Sequence, residues 1–87
     1  MTRIFFRPKA LAGLGVAPRK YQLIINEAIR ILEQGLFPPH TKKLEDSMDG
    51  YRTRVGRWRI LFTLKSGEIE VVDIFLKKGK SDYKRRY

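Results

Sequence analysis

Residues 51–62 read YRTRVGRWRILF, and this stretch decides the fold. Apolar and cationic side chains alternate on both sides of Gly56, and such alternation is typical of strands with one buried and one exposed face. A Gly-X pair is a two-residue hairpin loop whose twist matches that of the flanking strands. We therefore predict a β-hairpin with residues 56 and 57 as its loop.

This hairpin sorts its side chains into two faces. Val55 pairs with Trp58, and the pairing continues outward to Tyr51 opposite Phe62. Because paired residues share a face, the core face carries Tyr51, Thr53, Val55, Trp58, Ile60 and Phe62. The opposite face, which we call the arginine face, carries Arg52, Arg54 and Arg59 beside Leu61. Like charges opposite each other destabilise a sheet, so an anionic ligand is the better explanation for this face.

Length and composition indicate a small intracellular domain. The chain has 87 residues and no cysteine, and we predict one domain over 1–87 without disulfides. No apolar run approaches the ~18 residues of a membrane span. The first eight residues are too short and too polar for a signal peptide. We expect a cytoplasmic protein with no membrane contact.

The net charge of +10 is concentrated in two stretches. Residues 51–65 hold five cations and no acid, while residues 77–87 hold six cations and one acid. The net charges of the remaining segments, residues 1–50 and 66–76, cancel each other. A chain that is neutral elsewhere and basic in two places indicates a polyanionic partner, nucleic acid first. A solvated basic face that only aids solubility is the plainer alternative.

Sequence patterns predict the other elements. Residues 2–7 form a strand, residues 9–14 form a short helix, and Gly13-Leu14-Gly15 breaks that helix. A longer helix starts at Pro18 and is capped by Gly35, with an apolar stripe at Tyr21, Ile24, Ile25, Ala28, Ile31 and Leu32. Residues 35–43 form a loop.

Ile69 to Leu76 form the third strand of a meander, with two possible registers. A three-residue loop at Ser66-Gly67-Glu68 directs Val72, Ile74 and Leu76 into the core and Asp73 onto the arginine face. A two- or four-residue loop reverses this and buries Asp73. We favour the first, since burying an unpaired carboxylate is costly. The predicted fold class is α+β, with two N-terminal helices on one face of a mostly antiparallel four-stranded sheet.

The order β-α-α-β-β-β and the run from Lys43-Leu44 through residues 51–62 resemble the RelE/ParE superfamily, the toxins of type II toxin–antitoxin modules. The resemblance covers nearly the whole chain and is most specific in residues 43–62. The RelE-like branch consists of ribosome-dependent endoribonucleases that cut mRNA. The resemblance therefore implies that fold and that activity, together with a cognate antitoxin that neutralises the toxin in a heteromeric complex.

The resemblance also assigns roles to residues. Arg52 and Arg54 match the cationic pair of the first hairpin strand, and Arg59 matches the arginine that contacts the scissile phosphate. Lys77 or Lys78 stands for a later basic residue, and Tyr83 for a C-terminal tyrosine, with Tyr87 as the fallback. The catalytic candidates are thus Arg59, Arg54, Arg52, Tyr83 and Lys77. The RNA-binding candidates are Arg57, Lys78, Lys80 and Lys43.

The chemistry is compatible with these residue types. In RNA the 2′-hydroxyl can attack its own phosphodiester, and guanidinium groups stabilise the added negative charge. Arginine does not deprotonate, so the base is a tyrosine, a lysine or a carboxylate. Such a site needs no metal and no cofactor. His40 lies beside two prolines in the predicted loop, and we leave it out of the site.

Two other functions remain open. A ParE-like toxin has the same fold but inhibits DNA gyrase and cleaves no RNA. A catalytically degenerate homologue would only bind nucleic acid, and binding would then weaken with salt without a cleavage product.

Overall fold

The computed structural model describes residues 2–78, which form two helices and a five-stranded sheet. The elements in chain order are β1 (Arg3–Phe6), α1 (Pro8–Val16), α2 (Arg19–Glu33), β2 (Thr41–Lys43), β3 (Gly50–Val55), β4 (Trp58–Lys65) and β5 (Glu68–Leu76). The predicted α+β fold is confirmed. The fifth strand is β2, which lies in the segment predicted as a loop. Within residues 2–78, neither helix is long and apolar enough to cross a membrane.

The sheet has the strand order β1-β5-β4-β3-β2. Strand β1 pairs parallel with β5, and the other neighbours pair antiparallel. One face packs against the helices and forms the main core, in which Ile60, Phe62 and Val71 are fully buried. Trp58 also belongs to this core, as its place on the apolar face predicts.

The β3–β4 hairpin has the register predicted from its alternation. Val55 pairs with Trp58, and Arg54 pairs with Arg59. Gly56, the first loop residue, has φ 59°. This tight hairpin turn requires a positive φ there, and a residue with a side chain would disfavour it. Because the turn sets the register, every residue of both strands lies on its predicted face.

The loop between β4 and β5 has two residues, so the predicted three-residue loop is wrong. Lys65 pairs with Glu68 across Ser66-Gly67. A register shift between Leu61 and Phe62 then leaves Val72 as an extra residue on β5. This bulge restores the predicted faces beyond it: Ile74 packs in the main core, and Asp73 pairs with Leu61 on the arginine face.

Two residues that we assigned to the main core are not buried in it, and the bulge accounts for Val72. Val72 packs instead with Leu61 and Phe75, in a second buried cluster on the arginine face that Leu44 partly covers. Leu76, at the end of β5, is 37% exposed. The arginine face is therefore part apolar and buried, which fixes the backbone beneath the arginines.

Helix α1 continues through the glycines that we predicted would break it. It spans Pro8–Val16 and lies along β5, beyond the point where the short strand β1 ends. At Gly13 the helix approaches β5 so closely that an added Cβ would lie 1.7 Å from the carbonyl oxygen of Ile74. The glycine permits contact between helix and strand, and the helix covers a strand edge that would otherwise be open.

Helix α2 confirms the predicted amphipathic helix, but the buried row is not the predicted one. The buried residues are Ile25, Ala28, Ile29 and Leu32. Our stripe omitted Ile29 and included Ile24, which is 44% exposed. Both rows follow helical spacing, so the sequence could not tell which of them meets the sheet.

Candidate nucleic-acid interface

The arginine face carries three arginines on two neighbouring strands. Arg54 on β3 lies directly opposite Arg59 on β4. Arg52 is two residues earlier on β3, so it is a diagonal neighbour of Arg59 at about 8 Å between backbone positions. Arginines from both strands thus lie on neighbouring positions of one face. Their role in binding RNA stays a prediction.

Neutral acceptors orient these guanidinium groups. Arg52 donates from Nη1 to the carbonyl of His40 at 2.7 Å. Arg54 Nη2 lies 3.5 Å from Nδ1 of the same histidine. Arg59 donates from Nη1 to the carbonyls of Gly56 and Trp58, at 2.8 and 2.9 Å. A guanidinium has five N–H donors, so these contacts leave donors of Arg52 and Arg54 available for an anion.

Acidic residues on the same side of the sheet are paired with cations from the N-terminal segment. Asp73 is buried, with 2% of its surface exposed, and lies 3.8 Å from Lys9 Nζ. Glu70 pairs with Arg7 at 3.1 Å, and Glu68 pairs with Arg3 at 3.5 Å. Within residues 2–78, Arg52 and Arg54 form no salt bridge, so their charge is not neutralised by these carboxylates.

The hairpin loop and the end of β5 meet beside the arginines. The amide of Lys77 donates to the carbonyl of Arg57 at 2.9 Å. By alternation from Phe75, Lys77 is on the side of the arginine face. Lys78 follows it at the end of the described chain. Lys80, Tyr83 and Tyr87, which we also predicted as functional, lie outside the described residues.

Of the two neighbouring lysines on β2, the structure brings Lys42 to the arginine face rather than Lys43. Lys42 pairs with Arg52. Lys43 pairs with Tyr51, and its ammonium lies 5.5 Å from the centre of the tyrosine ring, on the opposite side of the sheet. The predicted contact of Lys43 with RNA therefore gets no support from this placement. A three-residue strand is too short to reveal its alternation in the sequence.

An apolar groove of about 500 Å³ lies between α2 and the edge of β3. Tyr21, Ile24 and Ile31 line it from the helix. Pro38 and Pro39 line it from the segment before β2. Lys20, Glu27, Thr53, His40 and Arg54 are polar residues in its lining. The groove therefore ends at the arginine face, where Arg54 and His40 belong to both features.

Solved structures with the same architecture come from toxin–antitoxin systems. The RelE–RelB complex of Pyrococcus horikoshii matches with a TM-score of 0.76 and 23% identity, over 92% of this chain and 100% of that one. The chain has the fold of RelE toxins. The RelB–RelE antitoxin–toxin complex of Methanococcus jannaschii matches with a TM-score of 0.75 and 18% identity, over 83% and 88% of the two chains. The isolated RelE toxin of Escherichia coli matches with a TM-score of 0.70 and 13% identity, over 98% and 94%.

The RelE fold is recognisable here in structure and not in overall sequence. No family model and no curated protein matches the chain at the sequence level. The structural likeness, at 13–23% identity, concerns the arrangement of helices and strands. The chemistry of this chain must therefore be argued from its own residues.

Proposed function

We propose that this chain is the toxin of a toxin–antitoxin pair and that it cleaves mRNA on the ribosome in the cytoplasm. The observation that carries the proposal is the convergence of Arg52, Arg54 and Arg59 on one face of a RelE fold. Arginine pairs in a sheet oppose folding, and Arg52 and Arg54 have no carboxylate partner among residues 2–78. A phosphate group offsets that repulsion.

The proposed reaction is an internal transesterification of RNA. The 2′-oxygen forms a bond to the adjacent phosphorus, and the bond from phosphorus to the 5′-oxygen breaks. The products are a 2′,3′-cyclic phosphate and a 5′-hydroxyl end. The proton leaves the 2′-hydroxyl for a base, for which Lys77 and Tyr83 are our candidates, and the 5′-oxygen takes a proton from a protonated side chain or from water as it leaves.

The arginines act on the charge that develops at phosphorus. Guanidinium groups donate paired hydrogen bonds to phosphate oxygens, and these bonds strengthen as the pentacoordinate transition state gains negative charge. The rigid sheet holds Arg54 and Arg59 opposite each other before the RNA arrives. The main-chain acceptors of Arg59 fix its guanidinium near the hairpin loop.

We propose an antitoxin as the physiological partner. The solved complexes from Pyrococcus horikoshii and Methanococcus jannaschii pair RelE with RelB. Here an apolar groove with half-exposed Ile24 adjoins a cationic face, which suits an amphipathic and acidic protein segment. A small open reading frame beside the gene is the genomic observation expected from this proposal, and its absence would count against it.

Replacing Arg59 with alanine tests the nuclease. We expect Arg59→Ala to lower the rate of mRNA cleavage on programmed ribosomes by roughly 10²–10³, because one donor to the transition state is lost. Growth arrest on expression should weaken in parallel. Arg30→Ala is the control: it removes a cation of α2 whose side chain is 72% exposed, and it should cleave at the wild-type rate.

Arg59 also contacts its own turn, so folding must be checked alongside. Arg59→Lys keeps the charge but not the paired hydrogen bonds, and should lie between alanine and the wild type. Thermal unfolding of each variant shows whether the fold survives. A folded Arg59→Ala protein that cleaves as fast as the wild type refutes the assignment. Gyrase inhibition by a wild-type protein that cleaves no RNA would instead identify the ParE-like activity.

A further inference from the structure

His40 has a backbone conformation that is uncommon for any residue except glycine. Its φ is 65°, in the left-handed region, where a Cβ crowds the following carbonyl. Such conformations persist only where the surroundings hold them, and they are concentrated at functional sites. The sequence offered no reason to expect this at an isolated histidine.

The turn that contains His40 is held at both ends. The Thr41 hydroxyl donates to the carbonyl of Pro38 at 2.7 Å and lies 2.7 Å from the hydroxyl of Thr53, which is fully buried. The amide of Arg54 donates to the carbonyl of His40 at 3.2 Å, which extends the ladder between β2 and β3. The left-handed residue is therefore part of an ordered turn rather than a loose loop.

In this conformation the carbonyl of His40 faces Arg52 and its imidazole faces Arg54. The His40 carbonyl accepts from Arg52 Nη1 at 2.7 Å, and Nδ1 of the imidazole lies 3.5 Å from Arg54 Nη2. A guanidinium can only donate, so Nδ1 is the acceptor in this contact, and the tautomer that makes it has its proton on Nε2.

We propose that His40 is the positioning residue of the arginine face and that it holds Arg52 and Arg54 in the orientation in which they bind phosphate. This inference rests on the proposed function as far as the bound group is an RNA phosphate. Arginine side chains have many rotamers, and two adjacent cations repel each other. Fixing them before the substrate binds removes that cost from the binding step.

A neutral acceptor suits this role better than a carboxylate. Aspartate or glutamate at this place would also hold the arginines, but its charge would compete with the phosphate. The carbonyl and imidazole of His40 orient the guanidinium groups and leave their positive charge for the substrate. The acids on this side of the sheet are instead paired with cations of the N-terminal segment, as for Asp73 with Lys9.

Two substitutions separate the imidazole from the backbone. His40→Gly removes the imidazole but keeps, and favours, the left-handed conformation that presents the carbonyl to Arg52. His40→Asn also tolerates this conformation and supplies an amide oxygen near the position of Nδ1. Ser66→Gly is the matched control, because Ser66 has φ 53° in the β4–β5 loop, away from the arginine face.

Single-turnover cleavage of mRNA on ribosomes gives the first readout. We expect His40→Gly to cleave about 10–100-fold more slowly than the wild type, since a misplaced catalytic group has effects of this size. His40→Asn should recover most of that loss, and Ser66→Gly should cleave like the wild type. Wild-type cleavage by His40→Gly, or equal impairment in the glycine and asparagine variants, would overturn the proposal.

NMR of the arginine guanidinium groups gives a readout that does not depend on nuclease activity. The Nη–H signal of Arg54 should show restricted exchange in the wild type, Ser66→Gly and His40→Asn, and faster exchange in His40→Gly. An unchanged Arg54 signal in His40→Gly overturns the positioning role. If the wild-type protein cleaves no RNA but the Arg54 signal responds as expected, the proposed function fails and the positioning role stands.

Discussion

Thr53 illustrates, at the scale of one residue, how the core face supports the arginine face. Its neighbours on β3 are two arginines, yet its own side chain is fully buried. The hydroxyl lies 2.7 Å from that of Thr41, which also donates to Pro38. A buried hydroxyl needs such a partner, because leaving it unsatisfied costs free energy. The same contact anchors the turn that carries His40.

A double-mutant cycle measures this contact. Thr41→Val should lower the free energy of unfolding by about 1–3 kcal/mol, because it leaves the Thr53 hydroxyl buried without its partner. In the Thr41→Val background, Thr53→Val should lower the free energy of unfolding by less than it does in the wild type, since no unpaired hydroxyl then remains. Urea unfolding gives the free energies, and Thr63→Val, at a half-buried site on β4, serves as the control. Additive effects of the two substitutions would contradict the coupling.

Helix α1 shows what an element contributes beyond its own pattern. It has little amphipathic character, and Ala10 is its buried residue. Its position depends on close backbone contact with β5, which Gly13 permits. Strand β1 covers the first half of the β5 edge and α1 the second half. Together they cover the edge of β5 that faces away from β4, the strand that carries Arg59.

The two glycines of α1 should respond to alanine in opposite directions. Gly13→Ala puts a Cβ 1.7 Å from the carbonyl oxygen of Ile74, so the helix must shift and we expect a loss of about 1–3 kcal/mol or more. Gly15→Ala meets nothing within 4 Å and should stabilise by about 0.5 kcal/mol through higher helix propensity. Chemical denaturation of both variants tests this. A neutral Gly13→Ala would refute the close packing of α1 on β5.

For the whole molecule, the sheet separates two surfaces with different chemistry. The helix side ends in an apolar groove beside Ile24 and Tyr21. The other side presents the arginines, and the net charge of the chain is +10. Net charge alone attracts any polyanion, whereas a defined face binds a phosphate at a fixed place. Salt dependence distinguishes these two effects.

We predict that the location of the charge, and not its total, sets RNA affinity. Arg52→Gln/Arg54→Gln and Arg3→Gln/Arg30→Gln each lower the net charge by two, from +10 to +8. In plots of log affinity against log salt for single-stranded RNA, the first pair should flatten the slope by about 1.4, at about 0.7 per lost phosphate contact. The second pair should leave the slope close to that of the wild type. Equal slopes for both pairs would mean nonspecific attraction.

The sequence was informative wherever a regular pattern was long enough. Alternation over residues 51–62 predicted the hairpin, its register and the arginine face, because the Gly56 loop sets the pairing of both strands. Helical spacing predicted α2, although Ile29 and Ile24 exchanged places. The predicted length of the loop before β5 was wrong. The predicted face of Asp73 is correct, because the bulge at Val72 compensates for the shorter loop.

Local pattern was therefore sufficient for α2, for the β3–β4 hairpin with its pairing of Arg54 and Arg59, and for the fold class, but not for β2 or for the extent of α1. The position of His40 against Arg52 and Arg54 depends on tertiary structure, as do the pair of Asp73 with Lys9 and the fit of Gly13 to β5. The physical reason is range. Periodicity and turn chemistry act between residues a few positions apart, whereas these contacts join residues 12–64 positions apart and exist only once the sheet is assembled.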